Sequence, residues 1–397
     1  MVSSRQHSQS SLLRDAWVEI DLDAIEQNVA LVRSWLDPAR CGLMAVVKSD
    51  AYGHGANRVA EILVAKGAKY LAVASVDEGI ELRKLDSKIP ILILAPIPFW
   101  AVGDALANNL DMTVTSMEQL KSLEKLARNA ASQARIHIKI DTGMHRLGFC
   151  PDHMTEALEL GTASKNLALI SMFSHLAKAS DREAVDFQNA NFMKAVEESR
   201  ARGIKLPVHL ASSEAAEKFP FAHHDLVRVG IYLYGLRPKS PAGNLTPALS
   251  VRGRIMNIAK VPEGDSAGYN WTWTASRDSR LASIPIGYAD GVDRNLSNRI
   301  EGSLMGKRVP QTGLISMDQM LFDITDVPEA QEGDVITLIG RGDGTDSQTL
   351  DLADWSSKLD TITYELACRL RARLPKIYTR NQDKNEKVQN DLEMTTG

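Results

Sequence analysis

A lysine closes the first strongly apolar run of this chain. In Met44-Ala45-Val46-Val47-Lys48-Ser49-Asp50-Ala51-Tyr52-Gly53-His54-Gly55, the residues Leu43 to Val47 read as a buried strand that ends at Lys48. A cation is poorly tolerated in such a place unless something there uses it. One use is a Schiff base, because desolvation lowers an amine's pKa and frees its lone pair. Tyr52 and two glycines follow, in a loop that lets backbone approach a ligand closely. Taken alone, Lys48 reads first as a surface lysine capping a strand. Residues at the ends of later apolar runs reverse that reading: His175, the pair Ser212 and Ser213, then Arg228 and Gly230. A serine hydroxyl and a glycine N–H can both donate to an anion. An imine-forming lysine together with a phosphate site points to pyridoxal phosphate.

The elements that must carry these residues are legible as a rhythm. Apolar runs occur at Leu43–Lys48, Tyr70–Ala74, Ile91–Leu94, Met112–Thr115, Ile136–Asp141, Leu169–His175, Val208–Ala211 and Leu226–Ile231. Helical stretches separate most of them: Gly55–Lys66, Val76–Leu85, Phe99–Asn108, Met117–Ala131, His153–Gly161 and Arg182–Arg202. Eight strands alternating with helices predict a closed parallel (β/α)8 TIM barrel, with an open doubly wound sheet as the alternative. In barrel enzymes the strand C-termini carry the chemistry, which is where Lys48, His175, Ser213 and Arg228 fall. Before the barrel, Trp17–Asp21 reads as a strand and Asp23–Leu36 as an amphipathic helix. From about Leu245 the pattern becomes short runs with Gly and Pro turns, at Val251–Ala259, Leu281–Pro285, Val309–Thr312, Leu321–Ile324 and Val335–Ile339. The domains expected are therefore a tail at 1–15, a barrel at 16–244, a mainly β domain at 245–380 and a tail at 381–397. Residues 237–243 form the linker, and Leu350–Leu359 and Thr363–Leu374 read as late helices. Both tails are expected to be disordered from their polar composition.

Composition narrows the function. A length of 397 residues favours two domains, and 44% hydrophobic with 24% charged residues is a globular balance. The net charge of -4 offers no general attraction to nucleic acid or anionic membrane. No apolar run is long enough to span a bilayer, and the polar N-terminus is no signal peptide. Three scattered cysteines, Cys41, Cys150 and Cys368, fit reduced thiols in a cytoplasmic protein and give no metal-ligand spacing. His223-His224-Asp225 reads as an exposed loop rather than a metal site, and Gly340-Arg341-Gly342-Asp343-Gly344 as a turn rather than a phosphate loop.

Across about residues 16–380 the chain resembles the alanine racemases. The resemblance rests on Ala45–Gly55, on Lys139-Ile140-Asp141-Thr142-Gly143-Met144-His145-Arg146-Leu147-Gly148, and on Val227-Arg228-Val229-Gly230-Ile231. It continues in Gly268-Tyr269, Pro285-Ile286-Gly287-Tyr288-Ala289-Asp290-Gly291, Ser316-Met317-Asp318-Gln319 and Thr363-Tyr364-Glu365. It implies a pyridoxal 5'-phosphate enzyme built as a barrel plus a β domain, acting as a head-to-tail homodimer with shared active sites. The implied reaction interconverts L- and D-alanine and supplies D-alanine for peptidoglycan.

The resemblance also implies roles for single residues. Lys48 would carry the cofactor and act as one acid–base group, and Tyr269 from the partner subunit as the other. Two groups on opposite faces of Cα are what racemisation requires. His175 and Arg228 would complete a chain from Tyr269, with Arg228 donating to the pyridine nitrogen. Tyr52, Ser213, Gly230, Ile231 and Tyr364 would hold the phosphate. Arg146 and the partner's Met317 would meet the substrate carboxylate, with Asp318 beside Met317. Tyr288 and Tyr364 would crowd the entrance and favour alanine over larger substrates. Lys139 matches a lysine carbamylated by carbon dioxide, whose negative charge would steady Arg146. Two departures stand out: Ser212 replaces a common asparagine and Ser316 a frequent cysteine. A racemase for serine or for a broad range of amino acids is the alternative. A decarboxylase of the same plan is disfavoured, since it typically uses a partner cysteine and no cysteine lies between Cys150 and Cys368. A non-catalytic barrel that buffers the cofactor lacks the second domain.

Overall fold

A computed structural model describes residues 13–85, 88–151, 154–238, 243–342, 349–370 and 373–380. Most of the two expected tails, the centre of the expected linker and the end of the Gly340–Gly344 segment lie outside the described residues. The chain divides into two compact units, one of residues 24–235 and one built from both ends, 1–23 and 236–397. The first strand, β1 (Ala16–Asp21), thus sides with the β unit by its contacts, not with the barrel to which sequence reading assigned residues 16–23.

The first unit is a closed parallel barrel of β2 (Gly42–Val46), β3 (Tyr70–Val73), β4 (Ile91–Ile93), β5 (Asp111–Val114), β6 (Ala134–Lys139), β7 (Leu167–Phe173), β8 (Val208–His209) and β9 (Leu226–Val229). All eight expected runs are strands, and β2 pairs with both β3 and β9 to close the cylinder. The helices between them start where the chain supplies caps. Ser75 accepts from the Glu78 N–H, Ser116 from Gln119 and Asp181 from Ala184. The helix Met117–Asn129 buries Gln119, Leu120, Leu123 and Ala127, one face at helical spacing. A short helix, Ser213–Lys218, was not anticipated.

The barrel interior is asymmetric. On the side of β2 to β4 it is apolar, with Met44, Val46, Ala72 and Leu92 packed together. On the side of β5 to β9 it carries buried Asp111, His137, Ser171, His209 and Arg228. The turn after β9, Ile231–Tyr234, seals the seam: Tyr232, Leu233 and Tyr234 are fully buried, and the Tyr234 hydroxyl donates to the Val46 carbonyl at 2.7 Å.

The second unit contains β10 (Leu249–Arg254), β11 (Asn257–Val261), β12 (Ser266–Ala267), β13 (Trp273–Thr274), β14 (Ser279–Ile284), β15 (Glu301–Leu304), β16 (Lys307–Thr312), β17 (Met320–Asp323), β18 (Val335–Arg341), β19 (Thr349–Leu350) and β20 (Lys376–Thr379). Its main sheet runs β11-β14-β17-β16-β15-β18-β10-β1-β20, with β19 on β18. In it β1 lies antiparallel to β10 and parallel to β20. The expected run Val251–Ala259 is two strands, β10 and β11. Of the expected late helices, Leu350–Leu359 is helical only over Leu352–Leu359, Leu350 belonging to β19, and Thr363–Leu374 is helical over Thr363–Arg369.

Replacing Tyr234 by Phe removes one buried donor and leaves the Val46 carbonyl without it. The variant should lose about 1–3 kcal/mol of stability, read as a lower thermal midpoint. An unchanged midpoint would show that the seam does not depend on this bond.

Candidate active site

Lys48 follows β2 by two residues and opens a turn of unusual hand. Ser49, Asp50, Ala51 and Tyr52 all have φ between 53° and 55°, in the left-handed helical region. For residues with a Cβ that conformation costs about 1–2 kcal/mol each, so it persists only where the surroundings overdetermine it. They do. The Glu78 carboxylate accepts from the N–H of Ser49 at 2.6 Å and of Ala74 at 2.8 Å. Asp50 accepts from Ala56 N–H at 2.7 Å, and the Ala51, Gly53 and Gly55 amides bond back into the turn. His54, wholly buried, bonds through Nδ1 to the Ala51 and Tyr52 carbonyls and stacks on Tyr234. The turn sets the direction in which Lys48 and Tyr52 leave the backbone.

On β9, the strand paired with β2, lies Arg228. It is 4% exposed, lies over the Phe173 ring, and gives its hydrogen bonds to carbonyls and imidazoles. Nη1 donates to His209 Nδ1 at 2.9 Å and to the His209 carbonyl at 3.0 Å. Nη2 donates to the carbonyls of Ser174 at 2.6 Å and Leu210 at 3.0 Å, and to His175 Nδ1 at 3.1 Å. The Nε–H is the donor these contacts leave. Burial lowers the guanidinium's pKa to about 9, which still leaves it charged at neutral pH. Because an arginine only donates, His175 Nδ1 must accept, and a neutral His175 carries its proton on Nε2. Burial, and then the charges of Arg228, Lys139, Arg146 and Lys48, push His175 well below the ordinary histidine value, so it is neutral.

Lys139, on β6, is also buried, with Nζ 5.1 Å from the centre of the Phe173 ring. Burial first, then Arg228 and Arg146, lower its pKa to about 8. Arg146 itself is exposed, on a loop that closes tightly. The Phe149 N–H bonds the Lys139 carbonyl, the Asp141 N–H bonds the Phe149 carbonyl, and the Asp141 carboxylate accepts the amides of Gly143, Met144 and His145. At Gly148, φ is +137° and a Cβ would stand 2.5 Å from the Asp141 nitrogen, so only glycine closes this loop.

Beyond the last two strands, Ser213 Oγ accepts the Gly230 N–H at 3.1 Å. A Cβ on Gly230 would lie 3.0 Å from the Tyr52 hydroxyl, so Tyr52, Ser213 and Gly230 converge, with Ile231 next in the chain. Two hydroxyls beside a glycine at the start of a turn form a cradle suited to a phosphate dianion. With a lysine and a donating arginine in the same barrel, the residues present fit pyridoxal phosphate.

The remaining expected site residues lie in the β unit. Tyr269 sits on a short turn and is 67% exposed, Met317 is 54% and Tyr288 41% exposed. Their loops are neighbours. Gly268 approaches Gly313, Asn298 bonds both Thr272 and the Gly313 N–H, and the Ser316 carbonyl accepts from Tyr288 N–H. Asp318 pairs with Arg373 at 2.7 Å. Tyr364 lies at the start of the helix Thr363–Arg369. Sequence reading missed Glu78, His54, Tyr234, Phe173 and His209, and the exposed Trp271 beside Tyr269. His209 had a signal: a polar residue inside an apolar run, as at His137 and Lys139.

The other candidates go elsewhere. His223 Nε2 bonds the Ala216 carbonyl and His224 Nε2 the Asn189 amide oxygen, so the two rings diverge, and His223 is buried rather than in an exposed loop. Among the described residues no acidic, His and Cys cluster could hold a metal, and no helix is long and apolar enough to cross a membrane.

Comparison with known proteins agrees with this geometry. Residues 20–238 match the family model for the alanine racemase N-terminal domain and residues 248–378 that for the C-terminal domain. The alanine racemase of Nostoc sp. is 40% identical over 373 residues, covering 91% of this chain and 95% of that protein. That of Methanococcus maripaludis is 37% identical over 372 residues, covering 91% and 98%. Among solved structures, alanine racemase from Clostridium difficile superposes with a TM-score of 0.87 at 31% identity, over 94% of this chain and 97% of that one. The Bacillus anthracis enzyme with bound L-Ala-P gives 0.85 at 33%, over 94% and 97%. A barrel with a lysine after its first strand, followed by a β unit bearing an exposed tyrosine turn, therefore belongs to the alanine racemase family.

Proposed function

We propose that this chain interconverts L- and D-alanine with pyridoxal 5'-phosphate, using Lys48 and Tyr269 as its two acid–base groups. The observation that carries the reading is the Arg228 guanidinium, buried among neutral acceptors with its Nε–H left over. Bound at Lys48, the cofactor would supply the electron sink that acidifies the substrate Cα–H. Tyr52, Ser213 and the amides of Gly230 and Ile231 would hold its phosphate, joined by Tyr364.

The residues of the chain then divide the work. Arg228 stays charged and can only donate, so it keeps the ring nitrogen unprotonated and the ring a weaker sink. That favours prompt return of the proton over side reactions. Lys48 would move the proton on one face of Cα. On the other face Tyr269 of the partner subunit would do so, with His175 Nε2–H directed at its phenolic oxygen. The exposed cluster of Tyr269, Tyr288 and Met317 in the β unit is apolar surface that a second copy would cover, which favours the homodimer. Met317 and Arg146 would meet the substrate carboxylate, and Tyr288 and Tyr364 would exclude larger side chains. A cytoplasmic supply of D-alanine for peptidoglycan is the role this activity fits.

The test is chiral chromatography of the purified protein with added cofactor on L-alanine and L-serine. Fast D-alanine and slow D-serine are expected. Equal rates would make it a broad racemase, and no D-product from either would sink the reading.

Tyr269→Phe should lower kcat by roughly a hundred- to ten-thousand-fold while the cofactor stays bound. Wild-type turnover in both directions would remove Tyr269 from the chemistry.

Lys139 is suited to carbamylation, since with its pKa lowered to about 8 far more of its amine than in an ordinary lysine is the free base that attacks carbon dioxide. The attack forms an N–C bond and releases one proton, leaving a negative charge between Arg146 and Arg228. With 13C-bicarbonate above pH 8, a carbamate 13C resonance should appear that is missing in Lys139→Ala and that fades as the amine protonates at lower pH. No such resonance at any pH would rule the modification out.

A further inference from the structure

The contacts of Arg228 do not stop at His209. A chain of side chains runs on across the barrel interior, one from each successive strand. His209 Nε2 lies 2.9 Å from Ser171 Oγ, Ser171 Oγ lies 2.6 Å from His137 Nδ1, and His137 Nε2 lies 3.0 Å from Asp111 Oδ2. Asp111 also takes Arg135 Nε on Oδ1 at 2.6 Å and Nη2 on Oδ2 at 3.2 Å. Asp111, His137, Ser171 and His209 are at most 1% exposed. We infer that Asp111 is a positioning residue for Arg228, acting through His137, Ser171 and His209.

With one proton on each imidazole, a single arrangement satisfies every link. Arg228 has no acceptor, so His209 Nδ1 must accept from it and a neutral His209 carries its proton on Nε2. That proton goes to Ser171 Oγ, whose own hydrogen goes to His137 Nδ1. His137 Nε2–H then ends on the Asp111 carboxylate. Burial alone would protonate Asp111, but the hydrogen bonds of His137 and Arg135 and the charge of Arg135 hold it below the ordinary carboxylate value, so it accepts. Burial and the charge of Arg228 keep His209 neutral. The direction of the chain is thereby fixed at both ends, by a group that can only donate and a group that only accepts.

The backbone is adapted to the chain. Ile136 pairs with Leu169, and an even register would set His137 beside Ile170. The register shifts by one residue there, so His137 pairs with Ser171 and Lys139 with Phe173. A bulge of this kind re-aims a side chain at the cost of one ladder position. Here it brings a hydroxyl between two imidazoles, and the Phe173 ring stacks on His209 at 4.9 Å between centroids.

An asparagine cannot replace Asp111. If its amide oxygen faced His137, its NH2 would face the Arg135 Nε–H. If it faced Arg135, its NH2 would drive His137 to the other tautomer, and the inversion would travel through Ser171 until His209 Nδ1–H opposed Arg228.

The inference rests on Arg228 serving the cofactor ring, and its test reads the histidines directly. In holoenzyme labelled with 15N-histidine, His209 should show the neutral Nε2–H tautomer through the neutral pH range. Asp111→Asn should change the His209 signal and lower kcat on the order of ten-fold, as loss of an orienting partner does, with KM for alanine little altered. Ser171→Ala, which removes no carbon, should shift the His209 Nε2 resonance and lower kcat in the same way even if Asp111→Asn does not fold. A wild-type His209 that is charged or protonated on Nδ1 overturns the inference, as does a wild-type His209 signal and kcat in the variants. The expected tautomer in a protein that makes no D-alanine would instead remove the racemase reading and leave the chain of bonds intact.

Discussion

Everything at the barrel's C-terminal end is arranged around a guanidinium that cannot discharge. Taking a cation out of water is expensive, and the usual remedy is a directly bonded carboxylate. Arg228 has none among the described residues; it is held by three carbonyls and two imidazoles. Those acceptors compensate its desolvation without neutralising it, so the positive field survives inside the site. Burial first, and then this field, push Lys139 and His175 towards their neutral forms. The buried charge therefore adds to what burial does to the protonation of its neighbours. A carboxylate beside it would undo all of this, and the nearest one in the chain of bonds, Asp111, is kept three side chains away.

The second constraint is steric. A left-handed turn of four ordinary residues is a high-energy conformation, and the bonds from Glu78, Asp50 and His54 offset its strain. The result is a lysine and a tyrosine, four residues apart, leaving a rigid backbone instead of a flexible loop. Pre-organisation of this kind reduces the ordering that ligand binding would otherwise demand.

The sequence is a good guide to whatever depends on local pattern. Strands β2 to β9 were visible as apolar runs, because strands covered on both faces need little alternation. The ends of those runs pointed to Lys48, Ser213 and Arg228, and three helices start at the Ser or Asp that caps them. What was illegible depends on contacts between distant residues. Nothing in Ser49-Asp50-Ala51-Tyr52 signals a left-handed turn, since the carboxylate that helps hold it comes from Glu78. Ser171 carries no mark of its partners in the sequence, because a one-residue bulge sets which residue of β6 it faces. The membership of β1 was misread for the same reason: its partners, β10 and β20, lie beyond the barrel.

That membership has a consequence for how the molecule is made. During synthesis β1 leaves the ribosome first, yet both strands that flank it in the sheet are translated only after all eight barrel strands. The barrel can close with its own segments while β1 waits unpaired, a sticky edge with no template. Until β20 arrives, the β unit has nothing to lay along the second side of its first strand. Completion of that sheet is thus a late event, and the last strand among the described residues works as its fastener.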